Sequence, residues 1–569
     1  MAKRWVIAET MPAEGIVGMP EISPVVLQLL WTRGVRTKEA IESFLLPDWD
    51  CDTFSSDIFL RMKEAVARTF AAVERGEKIV VHGDYDADGV CGSAVLVSTL
   101  RELKGNVSFY IPHREKEGYG FSIPTADELV GNRETKLIIT VDCGISNGPA
   151  IARAKELGAD TIVCDHHAMP PELPKEAILL HPQVPGEIYP NKSLCGTGVA
   201  FKFASALIHE ARRRGANLPE GHEKWLLDLV AIATVTDVMP LVGENRALEK
   251  FGLKVLNKTR RLGLKKLIDV AGGKMGLLDT FAIGFQIGPR LNAAGRMRHA
   301  SLALELLLAE DETEANRLAQ ELHETNADRR TASDAMYQEA KKMVGDPGDR
   351  RVLVVVGDGW SAGLVGLVAG KLVGDFGRPV YVIGRDGEAH VGSGRTTGGF
   401  DVTAALHAAA AHLDRFGGHP QACGFSITGG IKLTAFIAAV EAHAALVMAE
   451  MDLSPILKVD AELAPEEIGW PLVESLTQFE PVGEGNPRPL FVTRNLAVVA
   501  FDTVGKGAKH LRLTLVSQSG KMLKTIAFGF GALVKTLVPG QHADIVFELG
   551  VNEWNGSREI QLRLVDIKL

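Results

Sequence analysis

The chain has six cysteines, at 51, 91, 143, 164, 195 and 423, and no two of them form a CxxC pair. Zinc-finger and thioredoxin-like spacings are therefore excluded. No run of ~18 uncharged apolar residues occurs, so no membrane-spanning helix is expected. The opening residues, MAKRWVIAET, lack the apolar segment of a secretory signal. Together these absences point to a reducing, cytoplasmic setting in which cysteines serve as small core residues. Aromatic residues are only 6%, which argues against a binding surface built mainly from stacked rings. Internal repeats and low-complexity tracts are absent. Positive charge is also short. The chain carries 62 Lys+Arg against 71 Asp+Glu, a formal net charge of −9. This balance argues against coating nucleic acid by bulk charge and does not exclude a local basic groove.

What is present is ordinary for a globular protein. The chain has 569 residues, 46% hydrophobic and 23% charged, enough for roughly three or four domains at ~150 residues each. Glycine is high, at 59 residues, which suggests tight loops where backbone approaches a ligand. After a short helical N-terminal extension ending near Pro47, strands and helices alternate. Apolar runs predict strands at Lys78–Val81, Val107–Ile111, Leu137–Val141, Thr161–Cys164 and Ala177–Leu180, with helical spacing between them. That alternation predicts an α/β fold with a parallel, doubly wound sheet. A further apolar helix over 223–236 reaches Asp237. From Ser301 to Met343 the pattern is helical and charged, predicting a long connecting helix or a pair of them. A second, smaller α/β segment follows to about residue 450, and five strand-like runs then close the chain, fitting a small OB-type barrel. The expected division is 1–50, 51–300, 301–345, 346–450 and 455–569.

The acids fall in a telling place. Asp84, Asp86 and Asp88 follow the first strand, Asp142 follows the third, and Asp165, His166 and His167 follow the fourth. Asp237 ends the apolar helix. In a parallel sheet the carboxyl ends of the strands share one edge, where ligand sites form. A single Asp after a strand is more often a helix cap, and a single His-His pair is more often surface or core filler. Three alternating Asp in one glycine loop, with a His pair at the same edge, exceed that explanation. Converging buried carboxylates repel one another, and divalent cations remove that cost. Oxygen-rich ligation with one or two imidazoles suits Mn²⁺ or Mg²⁺.

The segments GDYDADG (83–89), IPHREKEGYG (111–120), TVDCGIS (140–146) and CDHH (164–167) resemble the DHH phosphoesterase superfamily. The later segments LCGTGVAFK (194–202), TDVMPL (236–241), GPRLNAAGRM (288–297), FGGHPQACG (416–424) and EPVGEGNPRPLF (480–491) are similar to its single-strand-specific 5′→3′ exonuclease branch. The ordered set spans nearly the whole chain. The resemblance implies a parallel-sheet DHH domain, a DHHA1 domain and an OB-fold barrel. It also implies a two-metal site with Asp84, Asp86, Asp88, Asp142, His166 and Asp237 as ligands, Asp142 bridging. His167, supported by Asp165, would face the scissile phosphate. Smaller DHH members use a His four residues before the first ligating Asp; His82 has that spacing to Asp86, and stands equally between ligand and strand-end residue. One departure stands out: the family usually places His after the Trp of GDGW, where this chain has Ser361.

Phosphate neutralisation is expected from Arg290, Asn292 and Arg296 in a glycine-bearing loop, and from the FGGH loop with Gly417, Gly418 and His419. Ser393 and Arg395 of GSGR are expected to contribute, the bland alternative being a glycine hairpin; Arg114 and Tyr119 would guide the strand. From Val482 to His542 there are eight bases against two acids, a local excess of +6 that includes Lys506, Lys509 and Arg512. That excess predicts a single-strand-binding barrel, the alternative being a merely solvated face. The function implied is exonucleolytic removal of 5′-mononucleotides from single-stranded DNA in repair and recombination. A narrow cleft between the two α/β domains would exclude duplex. The implied partners are a free 5′ strand end, and a helicase and single-strand-binding protein, with the enzyme a monomer. Two rivals are a small-substrate DHH phosphatase, disfavoured by the length and the barrel, and an inert replication scaffold, disfavoured because every expected acid is present.

Overall fold

A computed structural model describes residues 3–12, 15, 19, 21–114, 116–554 and 556–569. Parts of the expected N-terminal extension (1–2, 13–14, 16–18 and 20) lie outside the described residues. The chain forms two compact units. One comprises Trp5–Pro289, Ala303–Ala319 and Ile456–Leu569; the other is built chiefly from Arg290–Leu302 and Gln320–Pro455.

The first unit contains a five-stranded parallel sheet: β1 (Ile79–Gly83), β2 (Val107–Tyr110), β3 (Leu137–Val141), β4 (Asp160–Cys164) and β5 (Ala177–Leu180), in the order β2-β1-β3-β4-β5. Strands β1, β3 and β5 are buried at every residue, as their uninterrupted apolar character requires when helices cover both faces. Helices α1 (Ala87–Glu102), α2 (Gly148–Glu156), α3 (Gly196–Arg213), α4 (Leu227–Thr236) and α5 (Gly243–Leu256) complete this layer. Helix α4 is buried almost throughout and ends with Asp237 as its C-cap, so its apolar run delivers a carboxylate to the site.

The same unit holds the barrel. Strands β11 (Phe491–Val504), β12 (His510–Val516), β13 (Met522–Ala527), β14 (His542–Trp554) and β15 (Ser557–Lys568) run β11-β12-β13-β15-β14, and β14 closes back onto β11. The N-terminal helices Pro24–Thr32 and Lys38–Leu45 share a core with it: Leu29, Leu30, Ile41 and Phe44 pack in one cluster with Phe479, Phe491, Leu513 and Phe547. The N-terminal extension is thus part of the barrel's packing. The buried Arg246 on α5 ties this layer to the helices of the parallel sheet, donating to the carbonyls of Phe44, Gln478, Phe479, Glu480 and Pro481.

Residues 301–345 form two helices, as the alternative reading allowed. They follow α6 (Gly288–Met297): α7 (Ser301–Leu308) and the 33-residue α8 (Glu312–Val344). Asp311 breaks the pair by capping α8, its side chain accepting the N–H of Glu314.

The second unit carries β6 (Leu353–Asp358), β7 (Val380–Asp386), β8 (Ala389–Arg395), β9 (Arg415–His419) and β10 (Ala422–Thr428) in the order β9-β10-β8-β7-β6, with helices α9 (Ala362–Phe376), α10 (Val402–Ala408) and α11 (Gly430–Val447). Only β6 and β7 are parallel. Helix α11 is long and apolar enough to cross a membrane by composition. Leu433, Phe436, Val440 and Ala444, however, put one face into the unit's own core, and Lys432 pairs with Asp414 at 2.9 Å.

Candidate metal centre

The acids after β1 are placed by the turn into α1. Asp86 is the N-cap of α1 and accepts the N–H groups of Asp88 (2.9 Å) and Gly89 (3.2 Å). Gly89 permits the turn, because a Cβ there would sit 2.5 Å from the Asp84 backbone nitrogen. Asp88, buried in the first turn, accepts N–H groups from Gly196 and Thr197 at the start of α3, both at 2.7 Å. The N-terminus of α3 thus anchors this carboxylate. Asp142, after β3, has a left-handed backbone with φ near 60°, a conformation uncommon for a non-glycine residue and one that turns its side chain into the site.

Around these, His166 Nε2 lies 3.1 Å from Asp142 Oδ1, 3.5 Å from Asp237 Oδ2 and 3.7 Å from Asp88 Oδ2. Three donor sets result, each with ligand atoms within 4.8 Å of one another: Asp84, Asp86 and Asp142; Asp88, His166 and Asp237; and Asp142, His166 and His167. Asp142 belongs to two of them, the placement of a bridging ligand. Every ligand expected from the motifs therefore lies in this cluster.

The electrostatics show what the cluster demands. Burial first, then neighbouring carboxylates, push the Asp84 and Asp142 carboxyls well up. Burial, Asp88 and Asp86 push Asp237 up to about 9. Asp84 Oδ1 and Asp237 Oδ2 are buried with no hydrogen-bond partner. Orphaned, like-charged oxygens beside an imidazole fit divalent cations bound through oxygen and nitrogen. Asp165 is treated oppositely. Burial pushes it up, but the His167 contact and backbone N–H donors outweigh burial and hold its carboxyl below the ordinary range. It accepts from the N–H groups of Ile145, His166 and His167, and its Oδ1 lies 2.9 Å from His167 Nδ1. Asp165 thereby orients His167.

Tyr119, expected as a strand guide, is part of the site itself. Its hydroxyl donates to the Asp142 carbonyl at 2.8 Å and lies 3.1 Å from His167 Nδ1. Arg114 lies over the Tyr85 ring at 4.7 Å. His82 falls in none of the donor sets. Burial lowers it to about 4, its Nδ1 sits 3.7 Å from Cys143 Sγ, and it stacks on Tyr110. His181 escaped the motif reading. Its Nε2–H donates to the His167 carbonyl at 2.8 Å, while its Nδ1 accepts the Gln183 N–H. The signal was available, since His181 follows β5 as the acids follow the other strands. Cys91, Cys143, Cys164, Cys195 and Cys423 are buried as packing residues, and Cys51 is exposed.

In the second unit several expected loops are regular structure. Arg290, Asn292 and Arg296 lie on helix α6, not on a loop. Arg290 contacts His323 Nδ1 at 3.2 Å, and Arg296 Nη1 donates to the Gly363 carbonyl. The segment GPRLNAAGR has Gly only near its ends and a helix-compatible centre, so the glycines do not interrupt the helix. Gly417, Gly418 and His419 form the edge strand β9, largely exposed. Ser393 and Arg395 lie on β8, where Arg395 Nη1 donates to Ser393 Oγ and Ser393 Oγ to the Cys423 carbonyl. The glycines of β8 have a packing reason: a Cβ on Gly392 would meet the Phe425 ring at 2.1 Å. Ser361, which replaces the usual His, is the N-cap of α9, its Oγ accepting the Gly363 N–H.

The barrel corrects the charge argument. Arg512 pairs bidentately with Asp502 at 2.9 and 2.6 Å. Arg494 pairs with Glu462 and Asp544, and Lys524 with Glu559. Between 456 and 569 there are twelve bases against thirteen acids, so the +6 window ended just short of its partners. Lys506 and Lys509, in the turn between β11 and β12, and Lys535 keep no ion pair among the described residues.

These features define a DHH-type phosphoesterase: a parallel sheet whose carboxyl edge gathers five aspartates and a histidine, in a chain that also carries a separate mixed sheet and a barrel. Family models match over the same regions, the DHH family N-terminal domain at residues 78–234, the DHHA1 domain at 349–445 and the RecJ OB domain at 459–566. The single-stranded-DNA-specific exonuclease RecJ of Bacillus subtilis is 39% identical over 96% of this chain and 68% of its own. That of Thermus thermophilus is 34% identical over 99% of this chain and 78% of its own. The crystal structure of Thermus RecJ in complex with Mn²⁺ superposes with a TM-score of 0.84 at 30% identity, covering 100% of this chain and 79% of that one; a Mg²⁺ complex matches at 0.78, covering 100% and 78%. The chain belongs to the RecJ family.

Proposed function

We propose that the protein is a metal-dependent exodeoxyribonuclease that shortens single-stranded DNA from a free 5′ end, releases 5′-mononucleotides and acts in DNA repair and recombination. The observation that carries this reading is the pair of donor sets, Asp84/Asp86/Asp142 and Asp88/His166/Asp237, linked by the 3.1 Å approach of Asp142 Oδ1 to His166 Nε2. Two divalent cations, Mn²⁺ or Mg²⁺, fit there and when bound supply charge stabilisation to the phosphoryl and leaving oxygens. The chain's own residues then divide the work. Asp142 holds the two sets in register. Asp165 orients His167, which stabilises the scissile phosphate or protonates the leaving oxygen. Tyr119 fixes His167 against the Asp142 backbone. Arg114, Ser393, Arg395, Gly417, Gly418, His419, Arg290, Asn292 and Arg296 grip strand phosphates, and Lys506 and Lys509, more than the paired Arg512, extend that grip on the barrel.

Motif order supports the five-part division at 1–50, 51–300, 301–345, 346–450 and 455–569. A monomer working in the cytoplasm with a helicase and a single-strand-binding protein fits this chemistry, because the enzyme needs unwound strands. The test is degradation of a 5′-labelled single strand in Mn²⁺. Asp142→Ala should lose activity by ~10³-fold or more. Full activity in the variant, or attack from the 3′ end, would overturn the reading.

A further inference from the structure

The buried face of α8 changes character halfway along. Ala315, Leu318 and Leu322 are buried and apolar, as are Met336, Ala340 and Val344. Between them, at the same helical spacing, come Thr325, Asn326 and Ser333, all buried, with Arg329 half-buried. A helix that packs through an apolar stripe has no structural use for two polar turns in its middle. Thr325 Oγ1 donates to the Glu321 carbonyl at 2.7 Å, but Asn326 Oδ1, Arg329 Nε and Ser333 Oγ are buried with no hydrogen-bond partner. Buried polar atoms are almost always paired, so three orphans on one helix face call for a ligand.

The charge around them names its sign. His323, one turn before Asn326, contacts Arg290 of α6 at 3.2 Å. Arg330, two turns beyond His323 on the same face, is exposed, and neither it nor Arg329 forms an ion pair among the described residues. Asp334, one turn beyond Arg330, is engaged by Lys371 at 2.6 Å, and the adjacent Asp328 is exposed and forms no ion pair among the described residues. Burial first, then the neighbouring Arg330 cation, hold the Arg290 and Arg329 guanidiniums below their usual range. Three guanidinium groups, a hydroxyl, and an amide able to turn either its oxygen or its nitrogen outward match phosphate oxygens.

We propose that the polar middle of α8, Asn326, Arg329, Arg330 and Ser333 together with Arg290, is a seat for a phosphodiester of the single strand. This rests on the exonuclease reading and adds a binding site on the connecting helix that the motifs do not include.

The experiment measures binding of a nuclease-resistant phosphorothioate single strand to the full chain in Mn²⁺, across a salt series, for the wild type, Arg330→Gln and Lys342→Gln. Lys342 is an exposed cation near the end of the same helix and serves as the control. Arg330 is exposed, so its replacement should fold; a second variant, Ser333→Ala, probes the buried part. For Arg330→Gln the expected result is ~3–10-fold weaker binding and a log-affinity versus log-salt slope shallower by ~0.7, one phosphate contact. Ser333→Ala should weaken binding without changing the slope, and Lys342→Gln should leave both unchanged. Equal effects in Arg330→Gln and Lys342→Gln, an unchanged slope in Arg330→Gln, or a loss confined to 5′-mononucleotide binding would overturn the seat alone. A wild type that bound no single strand would overturn the exonuclease reading with it.

Discussion

The metal centre and the barrel handle charge in opposite ways. At the centre, five aspartates converge at the ends of β1, β3 and α4, and the carboxyls of Asp84, Asp142 and Asp237 are pushed up by burial and by neighbouring carboxylates. On the barrel, Arg512, Arg494 and Lys524 each meet a carboxylate directly. A surface pair contributes little, ~0–1 kcal/mol, because water already solvates both partners. A buried cluster of one sign is held only because the sheet and the helix starts leave it no freedom to move apart. The difference teaches that charge placement marks function where it is structurally costly. A count of charges along a sequence window does not.

Arg246 sharpens the contrast, being a buried cation satisfied by carbonyl oxygens alone. Replacing it with Met should leave those oxygens unpaired and destabilise the chain by ~3–5 kcal/mol, read by denaturant unfolding. A loss under 1 kcal/mol would show that the junction between the barrel and α5 is held by packing. Next comes the centre itself. Mn²⁺ at a hundred times its dissociation constant should stabilise the wild type by ~2.7 kcal/mol. Asp142→Asn should lose most of that gain, yet melt above the wild type in chelator, since one of the mutually repelling acids is gone. A variant less stable in chelator would break the account of repulsion.

Glu249 tests burial without neighbours. It is fully buried on α5, neither carboxylate oxygen has a partner, and burial alone pushes its carboxyl well up. The unfolded chain releases this proton near pH 4.5, while the folded chain keeps it to higher pH. Stability from this group is therefore full below pH 4.5 and falls as pH rises toward the folded value. Glu249→Gln should match the wild type near pH 4 and exceed it by ~1–2 kcal/mol at pH 8, seen as a gap in melting temperature that opens with pH. A gap independent of pH would refute a buried neutral acid. The smallest effect belongs to the barrel: Asp502→Ala should change stability by less than ~1 kcal/mol and free Arg512 to strengthen single-strand binding slightly. A large stability loss would mean that the barrel's ion pairs matter as much as the centre's charges.

Much of this was legible in the residues. The five parallel strands begin and end within two residues of the apolar runs that predict them, since strands buried on both faces are mostly apolar; only the edge strand β2 carries an exposed residue, Ser108. The cluster of acids and histidines was legible because most of its members follow strand ends, and the sheet's parallel topology turns that position into proximity. The GPRLNAAGR segment is a helix where its glycines suggest a loop, since glycine at a helix boundary and glycine in a loop look alike without the packing. The pairing of Arg512 with Asp502 was also hidden, because partners ten residues apart on adjacent antiparallel strands meet only through register.

The sequence by itself determined the alternation of strand and helix, the acids at the carboxyl edge and the order of motifs, all of which are local or nearly so. The tertiary structure alone decided three things: that Asp142 joins two donor sets, that Tyr119 and His181 reach His167 from distant loops, and that the middle of α8 buries polar atoms without partners. Each depends on distances between segments far apart in the chain, and only the closing of the fold sets those.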